Sequence, residues 1–99
     1  MGRAVAAIIV SHNSASCLAQ CLQALVDQDE KIAEIVVVDS GSDETSYLHT
    51  LNEKYPFQLI KKDNIGFSCA NNEGVSSLST SVDYILFLNP GASIKFPRL

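Results

Sequence analysis

Asp39 closes the apolar run Ile35-Val36-Val37-Val38 and opens the polar turn Ser40-Gly41-Ser42-Asp43. A carboxylate at the end of a buried strand accepts hydrogen bonds from a base N–H or from ribose hydroxyls; it can equally cap the helix that follows. Asp39 is assigned to a ligand. Asp43 is a candidate too, although capping is the competing role that suits it. Ser11-His12-Asn13 leaves another apolar run just ahead of a helix start, and a helix N-terminus offers unpaired N–H groups to anions. His12 there either stacks on a nucleobase or lies in solvent. Asn64-Ile65-Gly66-Phe67 and Asn71-Asn72-Glu73-Gly74 place asparagines in a helical stretch where their propensity is poor. Inward-facing amides then need polar partners; the alternative is that they cap and bond the neighbouring loop. No His or other base accompanies a serine for nucleophilic catalysis, and His49 reads as a helix surface residue. GxGxxG and a Walker lysine are absent, so dinucleotide and P-loop readings lack their main support.

Short apolar runs alternating with amphipathic stretches must position these residues. Residues 4–10 are continuous and partly β-branched, the mark of a strand covered on both faces. Ser14 or Ser16 caps a helix running to Val26, with Leu18, Leu22, Leu25 and Val26 on one face. Residues 35–38 form a second buried strand, and the Asp39 to Asp43 turn ends as the cap of a helix over residues 44–55. That helix turns Tyr47, Leu48, Leu51 and Tyr55 inward and stops at Pro56. Residues 57–60 make a short third strand near an edge. The spacing of Phe67, Ala70, Gly74 and Leu78 is helical, and residues 84–88 form a fourth buried strand ended by Asn89-Pro90-Gly91.

The order β-α-β-α-β-α-β predicts an α/β fold: three layers, a mainly parallel sheet and strand order 3-2-1-4, half of a doubly wound nucleotide-binding sheet. Ligands of such sheets sit at the carboxyl ends of the strands, where the strand order reverses. The polar residues cluster at those ends: Ser11 to Asn13, Asp39 to Asp43, Asp63-Asn64 and Asn89.

Composition narrows the classes. With 99 residues, the chain has room for one domain. A net charge of −4, with Lys61-Lys62 as the longest basic run, argues against a nucleic-acid backbone as partner. The apolar run over residues 4–10 is far short of the ~20 residues a membrane helix needs. Arg3 ahead of that run has the beginning of a leader-like pattern, but Ser11-His12-Asn13-Ser14 cuts it off, and Ala6 stands where myristoylation needs Ser or Thr. Three cysteines with no CxxC pair fit a reducing compartment, hence a cytoplasmic location. Cys17 and Cys21 can share a helix face, yet two thiols with no further ligand make a poor zinc site.

Four segments in order resemble the family 2 glycosyltransferases, with the rhamnosyltransferase-like branch nearest: Ile8-Ile9-Val10-Ser11-His12-Asn13; Val36-Val37-Val38-Asp39-Ser40-Gly41-Ser42-Asp43; Asn64-Ile65-Gly66-Phe67 with Asn72 and Gly74; and Asp83-Tyr84-Ile85-Leu86-Phe87-Leu88-Asn89-Pro90. The resemblance implies the glycosyltransferase A-type fold, a nucleotide-sugar donor and an inverting transfer to a hydroxyl, commonly with Mg²⁺ or Mn²⁺. By position, Ser11, His12 and Asn13 would line base and ribose, and Asp39 would meet the base. Asn64, Gly66 and Asn72 would shape the pocket beside the sugar-diphosphate.

Two departures accompany it. The family's fourth segment ends Asn-Pro-Asp and its last Asp ligates the metal; here that position is Gly91, and Asn89 offers at most one neutral oxygen. The family also carries a further hundred or more residues with the acceptor site and a base, whereas this sequence stops at Leu99. The expectation is a single nucleotide-sugar-binding domain over residues 1–99 that lacks the acceptor half, holds no metal ligand set and is inactive alone. It is either a fragment or donor half of a glycosyltransferase, or a degenerate, non-catalytic binding or assembly module. The strand Tyr84–Leu88 then becomes an edge, which predicts a homodimer or a missing partner half.

Overall fold

The short, β-branched buried runs become strands, and parallel pairing satisfies their N–H and C=O groups away from water. The computed structural model describes residues 4–13, 15–27, 32–63, 65–79 and 81–88. In chain order the elements are β1 (Val5–Ser11), α1 (Ala15–Val26), β2 (Ile32–Ser40), α2 (Ser46–Lys54), β3 (Gln58–Lys62), α3 (Phe67–Ser76) and β4 (Tyr84–Leu88). The four strands form one sheet in the order β3-β2-β1-β4, and every pairing is parallel. The predicted topology is the observed one.

All seven residues of β1 are buried, because β2 and β4 flank it and both its faces are covered. On one face Ala7, Ile9, Ile35, Val37 and Leu88 pack with Leu18, Cys21, Leu22 and Leu25 of α1 and Leu48 of α2. On the other, Ile8, Val10, Val36 and Val38 meet Ala70 of α3. Helices cover both faces, giving the three layers. Gly74 lets α3 lie close to the sheet: a Cβ there would stand 2.5 Å from Ile8 Cγ2.

Several boundaries differ from the sequence reading. β2 runs on through Asp39 and Ser40, which pair in register with Ser11 of β1 and with Lys61 and Lys62 of β3. Pairing on both sides extends the strand past the apolar run, so Asp39 lies within the sheet and the turn starts at Gly41. Val26, expected on the inward stripe of α1, is 46% exposed; it is the helix's last residue, and Cys21 takes its place in the core. Ser14 lies outside the described residues, and Ser16 lies inside α1 rather than capping it. β3 is an edge strand as expected, and its two lysines suit an edge that must stay unpaired.

Candidate functional site

The carboxyl ends of β1 and β2 bring Ser11, His12, Asn13, Asp39 and Asp43 together. Ser11 and Asp39 are register partners and both are buried, at 0% and 2% exposure. Asp39 accepts the Ser42 N–H at 3.1 Å on Oδ2 and the Ser42 hydroxyl on Oδ1. It therefore organises the turn three residues ahead. The Tyr47 hydroxyl, reaching in from the first turn of α2, lies 3.0 Å from Ser11 Oγ, 3.0 Å from Ser42 Oγ and 3.4 Å from Asp39 Oδ1.

The two loops are zipped together outside this cluster. Asn13 adopts φ 48°, a left-handed backbone that asparagine tolerates better than most residues. Its N–H donates to Ser42 Oγ at 2.8 Å, and its side-chain Oδ1 accepts the Asp43 N–H at 2.9 Å. Nδ2 of Asn13 is 3.4 Å from Asp43 Oδ2 and 3.4 Å from His12 Nε2. His12 Nδ1 is 2.6 Å from the Ser40 carbonyl oxygen. A carbonyl only accepts, so Nδ1 carries a proton and donates it there.

Asp43 does not cap α2, contrary to the capping role the sequence suggested. Thr45 at the N-cap makes no side-chain cap bond, and Glu44 Oε1 takes the Ser46 N–H at 2.7 Å instead. That backbone bond, helped by the Ser46 side chain, holds the Glu44 carboxyl below its ordinary value. Asp43 is spent on Asn13 because the αL turn at Asn13 brings the two loops within reach.

The third loop joins through Ser40, whose Oγ accepts the Ile65 N–H at 3.2 Å, while the Gly41 N–H donates to the Lys62 carbonyl at 2.8 Å. Gly66 precedes α3 with φ 82°, and nothing lies within 4 Å of where its Cβ would be, so its backbone conformation is what requires glycine. Asn72 is exposed on α3 and stands apart from the Asp39 cluster's hydrogen bonds. Its neighbour Asn71 is the one turned in: Oδ1 is buried with no hydrogen-bond partner among the described residues. Asn64, Asn89 and Gly91 lie outside the described residues.

Ser40, Ser42 and Tyr47 were not among the candidates. The signal for Tyr47 was available: an inward-facing tyrosine beside a polar turn needs a partner for its hydroxyl. Ser40 and Ser42 gave none, because a serine in a Ser-Gly turn looks the same whether or not it bonds another loop.

Chemically, this cluster is a set of fixed acceptors and short polar arms suited to hydroxyl and N–H donors. It supplies little cation for phosphate: Lys61 Nζ sits 2.8 Å from His49 Nε2, and Lys62 lies 3.9 Å from Glu73. Among the described residues no three His, Cys, Asp or Glu side chains gather to hold a metal ion. The residues described do not fit Mg²⁺ or Mn²⁺. No helix among them is long and apolar enough to cross a membrane.

Two solved structures of glucosyl-3-phosphoglycerate synthase from Mycobacterium tuberculosis share the fold, each with a TM-score of 0.68 at 16% identity. Both hold Mn²⁺ and UDP, one with glucosyl-3-phosphoglycerate and the other with phosphoglyceric acid. The match covers 90% of this chain but only 34% and 33% of those, so the chain spans about a third of their length. The fold is thus that of the glycosyltransferase A-type, Rossmann-like sheet. No curated protein sequence matches the chain. Residues 6–90 match the sequence model of glycosyl transferase family 2, from β1 to the segment after β4, and the chain belongs to that family.

Proposed function

We propose that these 99 residues are the donor-binding part of a glycosyltransferase that moves a sugar from a nucleoside-diphosphate sugar to a hydroxyl acceptor. The observation that carries this reading is the convergence of Ser11, His12, Asn13, Asp39 and Asp43 at the carboxyl ends of the two central strands. Asp39 and the Ser11 to Asn13 segment take the nucleoside, and Asn64, Gly66, Asn72 and Asn89 shape the diphosphate side. UDP in the fold relatives supports a uridine nucleotide as the first ligand to try. The order of Asn64-Ile65-Gly66-Phe67, Asn72 and Gly74 supports a rhamnosyltransferase-like member.

Inverting transfer needs a base at the acceptor hydroxyl and charge stabilisation of the departing diphosphate. Both belong to protein outside these residues, and the single domain over residues 1–99 turns over no donor alone; the threefold greater length of the solved relatives supports this division. Three free cysteines support a cytoplasmic setting. A second copy, or the remaining part of the enzyme, covers the edge at β4.

A specific observation keeps a second reading, a non-catalytic nucleotide-binding or assembly module: Gly91 stands where the resemblance calls for a metal-binding aspartate. Calorimetry of the chain with UDP, dTDP and GDP tests the shared premise. Measurable binding of one of them is expected, and none at millimolar ligand rejects both readings. Sugar transfer by the whole protein, expected under the first reading and absent under the second, then separates them.

A further inference from the structure

We infer that Tyr47 is the positioning residue of this site, gathering Ser11, Ser42 and Asp39 into one hydrogen-bonded unit that leaves Oδ2 of Asp39 to meet the nucleoside. The inference rests on the nucleotide-binding reading above and adds a residue that no motif contains.

Proton accounting gives the chain of bonds one direction. A carboxylate only accepts, so the Ser42 hydroxyl spends its single proton on Asp39 Oδ1. Ser42 Oγ is then an acceptor for its other contacts, the Asn13 N–H at 2.8 Å and the Tyr47 hydroxyl at 3.0 Å. Tyr47 must donate there, with Asp39 Oδ1 at 3.4 Å as its second acceptor. With the Tyr47 proton spent, the 3.0 Å contact to Ser11 runs the other way, and Ser11 donates to Tyr47. The hydroxyl protons run in series, from Ser11 to Tyr47, from Tyr47 to Ser42 and from Ser42 to Oδ1.

Oδ2 receives only the Ser42 N–H, at 3.1 Å, and retains a lone pair. A ligand N–H is therefore received on Oδ2, while Oδ1 is occupied by the network. Removing the Tyr47 hydroxyl leaves Ser11 without its acceptor and lets Ser42 and Asp39 turn, so the spare lone pair is no longer aimed. The ring itself packs against the core beside Leu48, and a Phe preserves that packing.

A structural role and a positioning role separate in base discrimination. The ring nitrogen of uracil that carries a proton is an acceptor in cytosine, so an aimed carboxylate favours UDP over CDP. Calorimetry on the wild-type chain and Tyr47→Phe, with both nucleotides, reads the difference. The wild type should prefer UDP by about tenfold or more, and Tyr47→Phe should lose about five- to tenfold in UDP affinity with little change for CDP. Ser11→Ala, which breaks the far end of the chain of bonds, should shift the ratio the same way and less far; it serves also if Tyr47→Phe does not fold. Equal losses for both nucleotides, an unchanged ratio in both variants, or a wild type indifferent to the base overturns the inference alone. A wild type that binds neither nucleotide at millimolar concentration overturns it together with the nucleotide-binding reading.

Discussion

Asn13 and Asp43 clasp each other across the carboxyl ends of β1 and β2, with the Asp43 N–H 2.9 Å from Asn13 Oδ1 and Asn13 Nδ2 3.4 Å from Asp43 Oδ2. The clasp depends on the left-handed backbone at Asn13, φ 48°. Asn13→Gly keeps that backbone without strain and loses the clasp, for an expected cost of about 1 kcal/mol. Asn13→Ala loses the clasp and strains the backbone, for about 2 kcal/mol or more. Urea denaturation of both variants checks the order, and equal costs would show that the backbone contributes nothing.

The Asp39 carboxylate offers the acceptor for one backbone N–H and the Ser42 hydroxyl while it is 2% exposed. Asp39→Ala strands those donors in a buried place, which should cost about 1.5–3 kcal/mol of stability and weaken UDP binding about tenfold or more. Denaturation and calorimetry on the same preparation read both. Full nucleotide affinity in a folded Asp39→Ala chain would remove this residue from the binding site.

The strand order and both core faces were legible because each rests on strong local patterns. Residues such as Ile8 and Val36 sit in unbroken apolar runs, and α1 and α2 carry their leucines at helical spacing. The candidate site was legible only in outline. Ser11, Asn13 and Asp39 were placed at the right strand ends, yet which atoms they engage depends on Ser40, Ser42 and Tyr47, residues up to 36 positions away in sequence from Ser11. Asp43 was misread as a cap because an acidic residue before a helix suits either role; the αL turn at Asn13 decides it, and a backbone angle leaves little trace in composition. Asn71 and Asn72 could not be told apart by type, and only the helix phase turns the first inward.

Gly74 brings α3 against β1, and a Cβ there would stand 2.5 Å from Ile8 Cγ2 and 3.4 Å from Val38 Cγ2. Cγ2 branches directly from the Ile8 Cβ and cannot swing away as the end of a long side chain would. Gly74→Ala gains up to about 1 kcal/mol of helix propensity. It loses about 1–3 kcal/mol to overpacking, so the net change should be destabilising. A raised urea midpoint would mean that α3 is free to move off the sheet.

Burial pushes the Cys21 thiol up from 9.0 to about 11, with the neighbouring Cys17 adding to it. The folded chain therefore holds this proton over a range where the unfolded chain has lost it. The stability linked to Cys21 is intact below pH 9, declines between pH 9 and about 11, and is gone above. Cys21→Ala should flatten that decline in stability against pH while lowering stability near neutrality through the cavity it leaves. Thiol alkylation near pH 8 gives a second check: exposed Cys69 should react first and buried Cys21 last. Early modification of Cys21 would show that α1 opens readily.

β4 carries the sheet's least covered apolar residues. Tyr84 and Phe87 are 50% and 51% exposed, and among the described residues β4 pairs only with β1. Five consecutive apolar residues, Tyr84-Ile85-Leu86-Phe87-Leu88, contain no charge or proline to discourage another strand, in contrast to Lys61 and Lys62 on the opposite edge. If a second copy covers this edge, the two strands pair antiparallel about a twofold axis. Light scattering of the 99-residue chain at tens of micromolar should then report a dimer, and Phe87→Lys should return a monomer, since the charge would be buried in the new contact. Ile85→Lys is the weaker probe, because Ile85 also packs against the core beneath α3 and its loss lowers stability as well. A wild-type chain that stays monomeric at those concentrations would show that no second copy covers this edge.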